Sequence, residues 1–212
     1  MVSNCDGNNL PQLIDQAKAG DTSQLGSLLQ SYFNYLTVLA NTQLDGRLRQ
    51  RVSPSDLVQE TMLAAHRDFH AFRGSSPQEL TGWLRQILIH VLHGTIARHV
   101  KAEKRDIRRE VSIDQVRVSV DRSAVNLASI LPAQNHSPSS PVLEEERAKA
   151  LADRLAELPS DYRDVIVLRN LNGLSFEEVA EQMDRSSGAV RMLWLRAIGK
   201  FKEQVGVSPS QL

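Results

Sequence analysis

Four basic side chains and three small residues occur together between positions 185 and 200. A guanidinium group donates paired N–H bonds to a phosphate or to the edge of a guanine, so arginines in such a cluster are suited to nucleic acid. This combination of residue types predicts contacts with DNA. The candidate contact residues are Arg185, Ser186, Ser187, Gly188, Arg191, Arg196 and Lys200.

The segment around these residues predicts two helices joined by a tight turn. Ser175 and Glu178 form the pattern of a capping box, the turn is Asp184–Arg185, and Ser186 is expected to cap the second helix. The apolar positions are Phe176, Val179, Ala180 and Met183 in the first helix and Val190, Leu193, Trp194, Ala197, Ile198 and Phe201 in the second. This outline matches a helix-turn-helix, which places the small and basic N-terminal end of its second helix in the major groove.

The same segment also fits an ordinary helical hairpin with a solvated basic face. Met192 and Leu195 are apolar positions on the wetter side of its second helix. They are compatible with contacts to thymine methyl groups, with contacts to a partner, or with simple exposure. The pattern leaves these alternatives open.

The net charge of the chain is zero, because 25 basic residues balance 25 acidic residues. The charges are unevenly distributed: segment 83–109 has seven basic and two acidic residues, 184–212 has five and two, and 151–183 has three and seven. Salt screens charges beyond roughly 8 Å, so local charge decides phosphate contacts. Neutrality therefore does not exclude a nucleic-acid partner, and the distribution predicts two separate contact regions.

Helical periodicity without a strand pattern predicts an all-α fold of two small helical domains. Ser53 is expected to cap a helix that has Pro54 at its first position, and a long helix is expected from about Pro77 to beyond Lys101. From about Ser119 the helical pattern dissolves, and residues 132–141 contain three prolines and three serines. The predicted organisation is a first domain at 1–110, a flexible Pro/Ser linker at 111–142, a four-helix helix-turn-helix domain at 143–205 and a tail at 206–212.

The remaining residue types argue against a secreted protein or a metalloenzyme. Cys5 is the single cysteine, so it forms no internal disulfide, and the N-terminus lacks the pattern of a signal peptide. His66 and His70 lie four residues apart, but Arg67 occupies the position where a zinc protease has glutamate. We therefore expect a cytoplasmic protein without membrane insertion, metal, cofactor or enzymatic activity.

Three blocks of sequence, taken together, resemble the extracytoplasmic-function (ECF) sigma factors of the sigma-70 family. Residues 158–203 follow the pattern of domain 4, which binds the −35 promoter element. Residues 53–74, SPSDLVQETMLAAHRDFHAFRG, resemble region 2.2, and residues 81–106 resemble regions 2.3 and 2.4. The resemblance implies a factor that binds core RNA polymerase and directs promoter-specific initiation of transcription, with no bond chemistry of its own.

The resemblance also implies roles for individual positions. Asp56, Gln59 and Glu60 match the D-x-x-Q-E motif that helps to bind the clamp helices of the polymerase β′ subunit. The loop from Phe72 to Leu80 matches the loop that takes up a base flipped out of the −10 element. The positions implied to contact −10 DNA are Phe72, Arg73, Ser75, Ser76, His90, Arg98, Lys101, Lys104 and Arg105.

Two positions depart from the family pattern. His90 stands where many members have asparagine, so the base preference at −10 does not transfer. Asp184 stands where glycine is common, but aspartate tolerates left-handed backbone better than most residues, so the turn is expected to persist.

The partners implied are core RNA polymerase, through the β′ clamp helices and the β flap, and promoter DNA. An anti-sigma protein that holds the two domains together is a further hypothesis, because a flexible linker permits closure. The rival is a dimeric helix-turn-helix regulator with an N-terminal sensor domain. Such a regulator binds duplex operator alone, whereas a sigma factor needs core polymerase.

Overall fold

A computed structural model describes residues 10–44, 48–102, 112–131 and 141–206. All regular elements in these ranges are helical, which confirms the predicted fold class. The α-helices are α1 (Leu10–Lys18), α2 (Thr22–Gln30), α3 (Phe33–Gln43), α4 (Pro54–Asp68), α5 (Pro77–Ala102), α6 (Ile113–Ala128), α7 (Pro141–Ala156), α8 (Ser160–Ile166), α9 (Phe176–Met183) and α10 (Ser187–Val205). Short 3₁₀ turns lie at Leu48–Gln50 and Phe69–Ala71, and a π-helical turn at Val167–Leu171 continues α8.

The helix starts that were predicted from capping residues are confirmed. The Ser53 hydroxyl accepts a hydrogen bond of 3.0 Å from the Asp56 amide, and Pro54 opens α4. Ser175 and Glu178 form the reciprocal capping box of α9. These interactions satisfy backbone N–H groups that have no partner inside the helix, so they define where each helix begins.

The expectation that the helical pattern ends at about residue 119 is wrong for residues 119–128, which form the second half of α6. The buried face of α6 consists of Val116, Val120, Ser123, Ala124, Leu127 and Ala128. The helix is rich in valine and serine, which have only moderate intrinsic helix propensity. Packing of this face against α3, α5 and α7 therefore stabilises a helix that local preference leaves undecided. The Pro/Ser-rich residues 132–140 lie outside the described residues.

The buried side chains of the described residues form one hydrophobic cluster centred on α3. Leu36 and Leu39 are fully buried, and α3 packs against α4 and α5 on one side and α6 and α7 on the other. Helices from the N-terminal and C-terminal halves of the chain thus share a core. The division into domains at 1–110 and 143–205 stays a prediction.

Polar contacts across this shared core centre on Arg85 in α5. Its Nη2 donates to Glu145 Oε1 of α7 at 2.9 Å, and its Nη1 donates to the Tyr35 hydroxyl of α3 at 3.4 Å. Burial raises the pKa of Tyr35 to about 12, so the phenol stays neutral at physiological pH. Burial also raises the pKa of Glu145, which the Arg85 charge lowers in turn. Arg85 therefore stabilises the buried carboxylate that ties α7 to α5.

We expect Arg85→Met to lower the free energy of unfolding by about 2 kcal/mol, because it removes a hydrogen bond to a charged group and leaves Glu145 without its cation. Without the Arg85 charge, the pKa of Glu145 rises further in the folded variant, so ionising this carboxyl at higher pH costs folding free energy. The stability lost relative to wild type is therefore expected to grow from about pH 5 to about pH 7. Urea titration at both pH values measures this. The control is Arg122→Met, an exposed position of α6. Equal losses from the two variants at both pH values would contradict the prediction.

Candidate nucleic-acid interface

Helices α9 and α10 form a helix-turn-helix around a single left-handed residue. Asp184 has φ 51° and ψ 51°, and among the described residues it is the one non-glycine with positive φ. The Arg185 amide donates to the Ala180 carbonyl at 3.0 Å, which closes the turn. The Ser186 hydroxyl then accepts from the Ala189 amide at 3.3 Å and caps α10. The expectation that aspartate preserves this turn is confirmed.

The second helix is anchored through the apolar face that the sequence predicts. Val190, Ala197 and Phe201 are fully buried, and α10 packs chiefly against α8. The Trp194 ring meets the Phe176 ring edge to face at 5.7 Å, and its indole N–H donates to Asn170 Oδ1 at 2.9 Å. This packing directs the opposite side of α10 toward solvent.

Two of the candidate arginines on this surface are engaged in ion pairs. Arg185 binds Asp161 Oδ2 at 2.5 Å, and Arg191 binds Glu177 Oε1 at 3.1 Å. The Arg191 guanidinium also lies 5.2 Å from the centre of the Phe176 ring, which Arg169 contacts at 4.8 Å. The side chains of all four residues are 40–64% exposed, so the two pairs contribute little to stability.

Glu177 is the carboxylate that organises this end of α10. Its Oε1 accepts from the Ser187 hydroxyl at 3.0 Å as well as from Arg191. Hydrogen bonds from its own backbone amide, from Ser187 and from Arg191 hold the pKa of Glu177 below its ordinary value. The carboxylate is therefore charged at neutral pH and keeps Arg191 aimed along the surface.

The other candidates on α10 are open to solvent. Gly188, Arg196 and Lys200 are exposed. Lys200 lies 3.9 Å from Glu203, at the limit of an ion pair, and Arg196 has no ion-pair partner among the residues that the structure describes. The seven candidates thus lie in the turn and along α10, where Ser187 is half-buried and the other six are exposed.

The loop between α4 and α5 carries four of the predicted −10 contacts, and Glu79 holds it in shape. Glu79 Oε2 accepts from the Ser75 amide, the Ser76 amide and the Ser76 hydroxyl at 2.8 to 3.0 Å, while Ser76 Oγ accepts from the Glu79 amide. These bonds hold the pKa of Glu79 below its ordinary value, and the bond from the Ser75 amide has the largest effect. Arg73 and Ser75 stay exposed, whereas the Ser76 hydroxyl serves the cap of α5.

Phe72 lies at the edge of this loop but faces inward. Its side chain is only 5% exposed and packs against Phe69 and Trp83 with ring centres 5.6 and 5.3 Å apart. The structure thus favours a role for this ring in supporting the loop rather than in stacking on a base. Leu84 is fully buried in the core, and the partly buried Trp83 packs against it.

Two of the predicted contacts on α5 share one exposed face. His90 and Arg98 lie two helical turns apart along that face, and both are exposed. His90 Nδ1 lies 2.6 Å from the Gln86 carbonyl, which can only accept, so Nδ1 carries a proton and donates it to this carbonyl. Lys101 lies in the last turn of α5, and Lys104 and Arg105 lie outside the described residues.

The predicted polymerase contacts Asp56, Gln59 and Glu60 are all exposed on α4. An open groove of about 400 Å³ beside them is lined by Arg51, Val52, Asp56, Leu57, Glu60, Thr95 and Arg98. Glu60 Oε2 and Arg98 Nη2 lie 3.7 Å apart across it. The structure therefore brings one predicted polymerase contact next to one predicted −10 contact, although 38 residues separate them in the sequence.

Two carboxylates that support the candidate contact residues are absent from the predictions made from the sequence. Glu79 follows Ser76 by three residues, the same S-x-x-E signature as Ser175 and Glu178, so a systematic search for capping boxes would find it. Glu177 carries no comparable signal, because its partners Ser187 and Arg191 lie ten and fourteen residues away.

His66 and His70 are exposed, and no cluster of three or more potential metal ligands occurs within the described ranges. In the same ranges, none of the helices has both the length and the apolar character needed to cross a membrane.

The amino-acid sequence of this chain is similar to sequences of known proteins. A family model described as "Sigma-70, region 4" matches residues 148–200, which extend from α7 into α10. The "ECF RNA polymerase sigma-E factor" of Salmonella typhimurium strain LT2 is 31% identical over 191 residues, covering 87% of this chain and 88% of the relative. The protein of the same description from Haemophilus influenzae is 28% identical over 185 residues, covering 87% and 89%.

Among solved structures, the RsbN–BldN complex covers 90% of this chain and 97% of the matched chain, with 21% identity and a TM-score of 0.32. A score this low carries no structural argument. The family assignment rests instead on the sequence identity to sigma-E factors over most of the length of both chains. This chain belongs to the family of ECF RNA polymerase sigma factors, the promoter-specificity subunits that act with RNA polymerase in the initiation of transcription.

Proposed function

We propose that residues 143–205 bind the −35 element through α10, while residues 1–110 bind core polymerase and open the −10 region. The observation that carries this proposal is the pair of separate exposed surfaces: an acidic and amide-bearing face on α4, and a basic surface on the helix-turn-helix. A factor with two such surfaces can contact polymerase and DNA at the same time. The resemblance of the individual blocks supports the same assignment.

On the first surface, Asp56, Gln59 and Glu60 contact the β′ clamp helices. Their exposure leaves them free to bind a partner, and Val58 on the opposite side of α4 is fully buried and holds the helix in place. The β flap is the expected partner of the C-terminal helices.

At the −10 element, Arg73 and Ser75 contact a base that leaves the duplex, while His90, Arg98, Lys101, Lys104 and Arg105 follow the DNA strand. The rigid cap made by Glu79 supports this role, because a loop held at a defined position can stabilise an unpaired base. Phe72 contributes by packing beneath the loop.

At the −35 element, Arg191 exchanges its bond with Glu177 for a contact with DNA. We expect Arg191→Ala to weaken discrimination of the −35 sequence by about 1–3 kcal/mol, because an arginine that reads a base contributes this much. Binding of the polymerase complex to duplexes with intact and scrambled −35 elements measures the effect. The control is Arg154→Ala, an exposed arginine of α7 paired with Glu157. Equal behaviour of the two variants would argue against a base contact by Arg191.

Run-off transcription tests the whole proposal. Core RNA polymerase reconstituted with this chain is incubated with a pool of genomic promoter fragments, and transcripts are sequenced. We expect initiation at a defined set of promoters sharing −35 and −10 sequences, and none with core enzyme alone. Binding of the chain to duplex DNA without polymerase, together with no added transcription, would overturn the proposal.

An anti-sigma protein fits the contacts between the two halves of the chain. Arg85 binds Glu145, the Asn34 amide donates to Asp153 at 2.9 Å, and the Asn172 amide donates to the Thr42 carbonyl at 3.2 Å. An inhibitor that grips both halves would strengthen a closed form that these contacts already support. Release of such an inhibitor would let the halves separate on polymerase.

A further inference from the structure

Met192 and Leu195 form a short exposed apolar line on the side of α10 that faces away from the core, with the exposed Arg196 beside it. Successive helical residues are rotated by about 100°, which puts Met192 opposite Val190 and Phe201. Met192 is 52% exposed and its neighbour Leu195 is 56% exposed, while Val190 and Phe201 are fully buried. Large apolar side chains exposed at the centre of a predicted ligand surface point to an apolar group on the ligand.

Basic residues lie on both sides of this apolar line. Arg191 flanks Met192 on one side of the helix, and Arg196 and Lys200 flank it on the other. The ion pair with Glu177 of α9 holds the Arg191 guanidinium on the α9 side of Met192. An apolar centre with one cation on one side and two on the other is complementary to the major groove of DNA, which has phosphates along both edges and bases at its floor.

A protein helix would also cover Met192 and Leu195, but it would need carboxylates on both sides to match the flanking cations. The surface of α10 beside Met192 also has space for a ligand to approach the helix backbone. Gly188 lies one turn before Met192, and a Cβ atom added there would meet no other atom within 4 Å. Packing within the protein therefore does not require glycine at position 188. Because glycine has no side chain, this position leaves room for an external ligand. These observations favour DNA as the occupant.

We propose that Met192 reads a thymine in the −35 element by contact with its C5-methyl group. The methyl group is the apolar feature that distinguishes thymine in the major groove, and the flexible thioether side chain of methionine adapts to such a group. Arg196 and Lys200 position the helix on the adjoining phosphates, while Arg191 contacts a base edge beside Met192. This inference rests on the proposed −35 role of α10 and adds which base feature is read.

The test uses polymerase reconstituted with the full chain and a promoter obtained by run-off selection. Each thymine of the −35 element, on either strand, is replaced in turn by deoxyuridine, which removes only the methyl group. For wild-type protein, we expect one such replacement to weaken binding about three- to fivefold, the effect of losing one buried methyl contact. Met192→Ala is expected to weaken binding to the thymine duplex by a similar factor. The variant should then bind the thymine and deoxyuridine duplexes with equal affinity.

The control variant is Leu143→Ala, since Leu143 on α7 has the same 52% exposure as Met192. This variant should keep the wild-type ratio between thymine and deoxyuridine duplexes. If wild type and Met192→Ala show the same ratio at every position, the inference is overturned and the apolar line serves another partner, such as a protein helix. If scrambling the entire −35 element has no effect on wild-type binding, the proposed −35 role itself fails, and the two failures are thereby distinguished.

Discussion

Replacing both Asp56 and Gln59 with alanine is expected to weaken binding to core RNA polymerase by about 2 kcal/mol or more, roughly thirtyfold in Kd. Both side chains are exposed on α4, and neither makes a side-chain hydrogen bond or ion pair among those found in the described residues. Their removal therefore takes away contacts to a partner and few contacts within the fold. Only the Asp56 charge in the first turn of α4 contributes to the helix, by about 0.3–1 kcal/mol.

The matched control for this variant is Gln12→Ala with Asp15→Ala. These residues have the same types and the same spacing of three, and both are exposed on α1. Fluorescence anisotropy of the labelled chain against core polymerase measures affinity, and urea titration measures the free energy of unfolding. Unchanged polymerase affinity in the α4 variant, or an equal loss in the α1 control, would show that α4 is not the docking helix.

Gly74→Ala is expected to impair promoter opening and to lower the free energy of unfolding by about 1–3 kcal/mol, the usual cost of overpacking. A Cβ atom at this position would lie 2.6 Å from Glu79 Cβ and 2.6 Å from Phe72 Cζ. Neither atom can yield easily, because Glu79 is bound to Ser75 and Ser76 and the Phe72 ring is buried. The added methyl group would thus displace the loop that we propose holds the flipped base.

Permanganate reactivity of unpaired thymines measures opening of the −10 region, and we expect it to fall while binding of the −35 duplex is retained. The control is Gly82→Ala in α5, where an added Cβ meets nothing within 4 Å. That substitution should raise the free energy of unfolding by about 0.5–1 kcal/mol, since alanine favours a helix more than glycine does. A Gly74→Ala protein that opened promoters as well as the Gly82→Ala protein would refute the role of the loop.

Features that depend on a local physical signal were predictable from the sequence. The caps at Ser53, Ser175 and Ser186 lie within three residues of the amides they bind, so their types and spacing suffice to predict them. The left-handed turn at Asp184 was predictable for the same reason, because it depends on the preference of one residue. The second half of α6 shows the opposite case: the helix starts at the capping box of Ser112 and Gln115, but residues 119–128 are helical through packing against three other helices.

In the candidate site, too, some features were predictable from the sequence and others only from the structure. The residue types at Arg185, Arg191 and Arg196 were sufficient to predict a phosphate-binding surface. They were insufficient to predict that Glu177 binds Arg191, or that Phe72 turns into the core beside Trp83. Each of these depends on a partner that is distant in the chain or on the direction of a single side chain.

By itself the sequence determined the helical class, the main capped helix starts and the helix face that carries the basic residues, because periodicity and capping act over three or four residues. Tertiary structure alone decided that Arg85 meets Glu145 across 60 positions, that Glu60 lies beside Arg98, and that Met192 points directly away from the core with cations on both sides. Such relations arise when helices pack, because packing fixes their separation and rotation and so selects which distant side chains come within bonding distance.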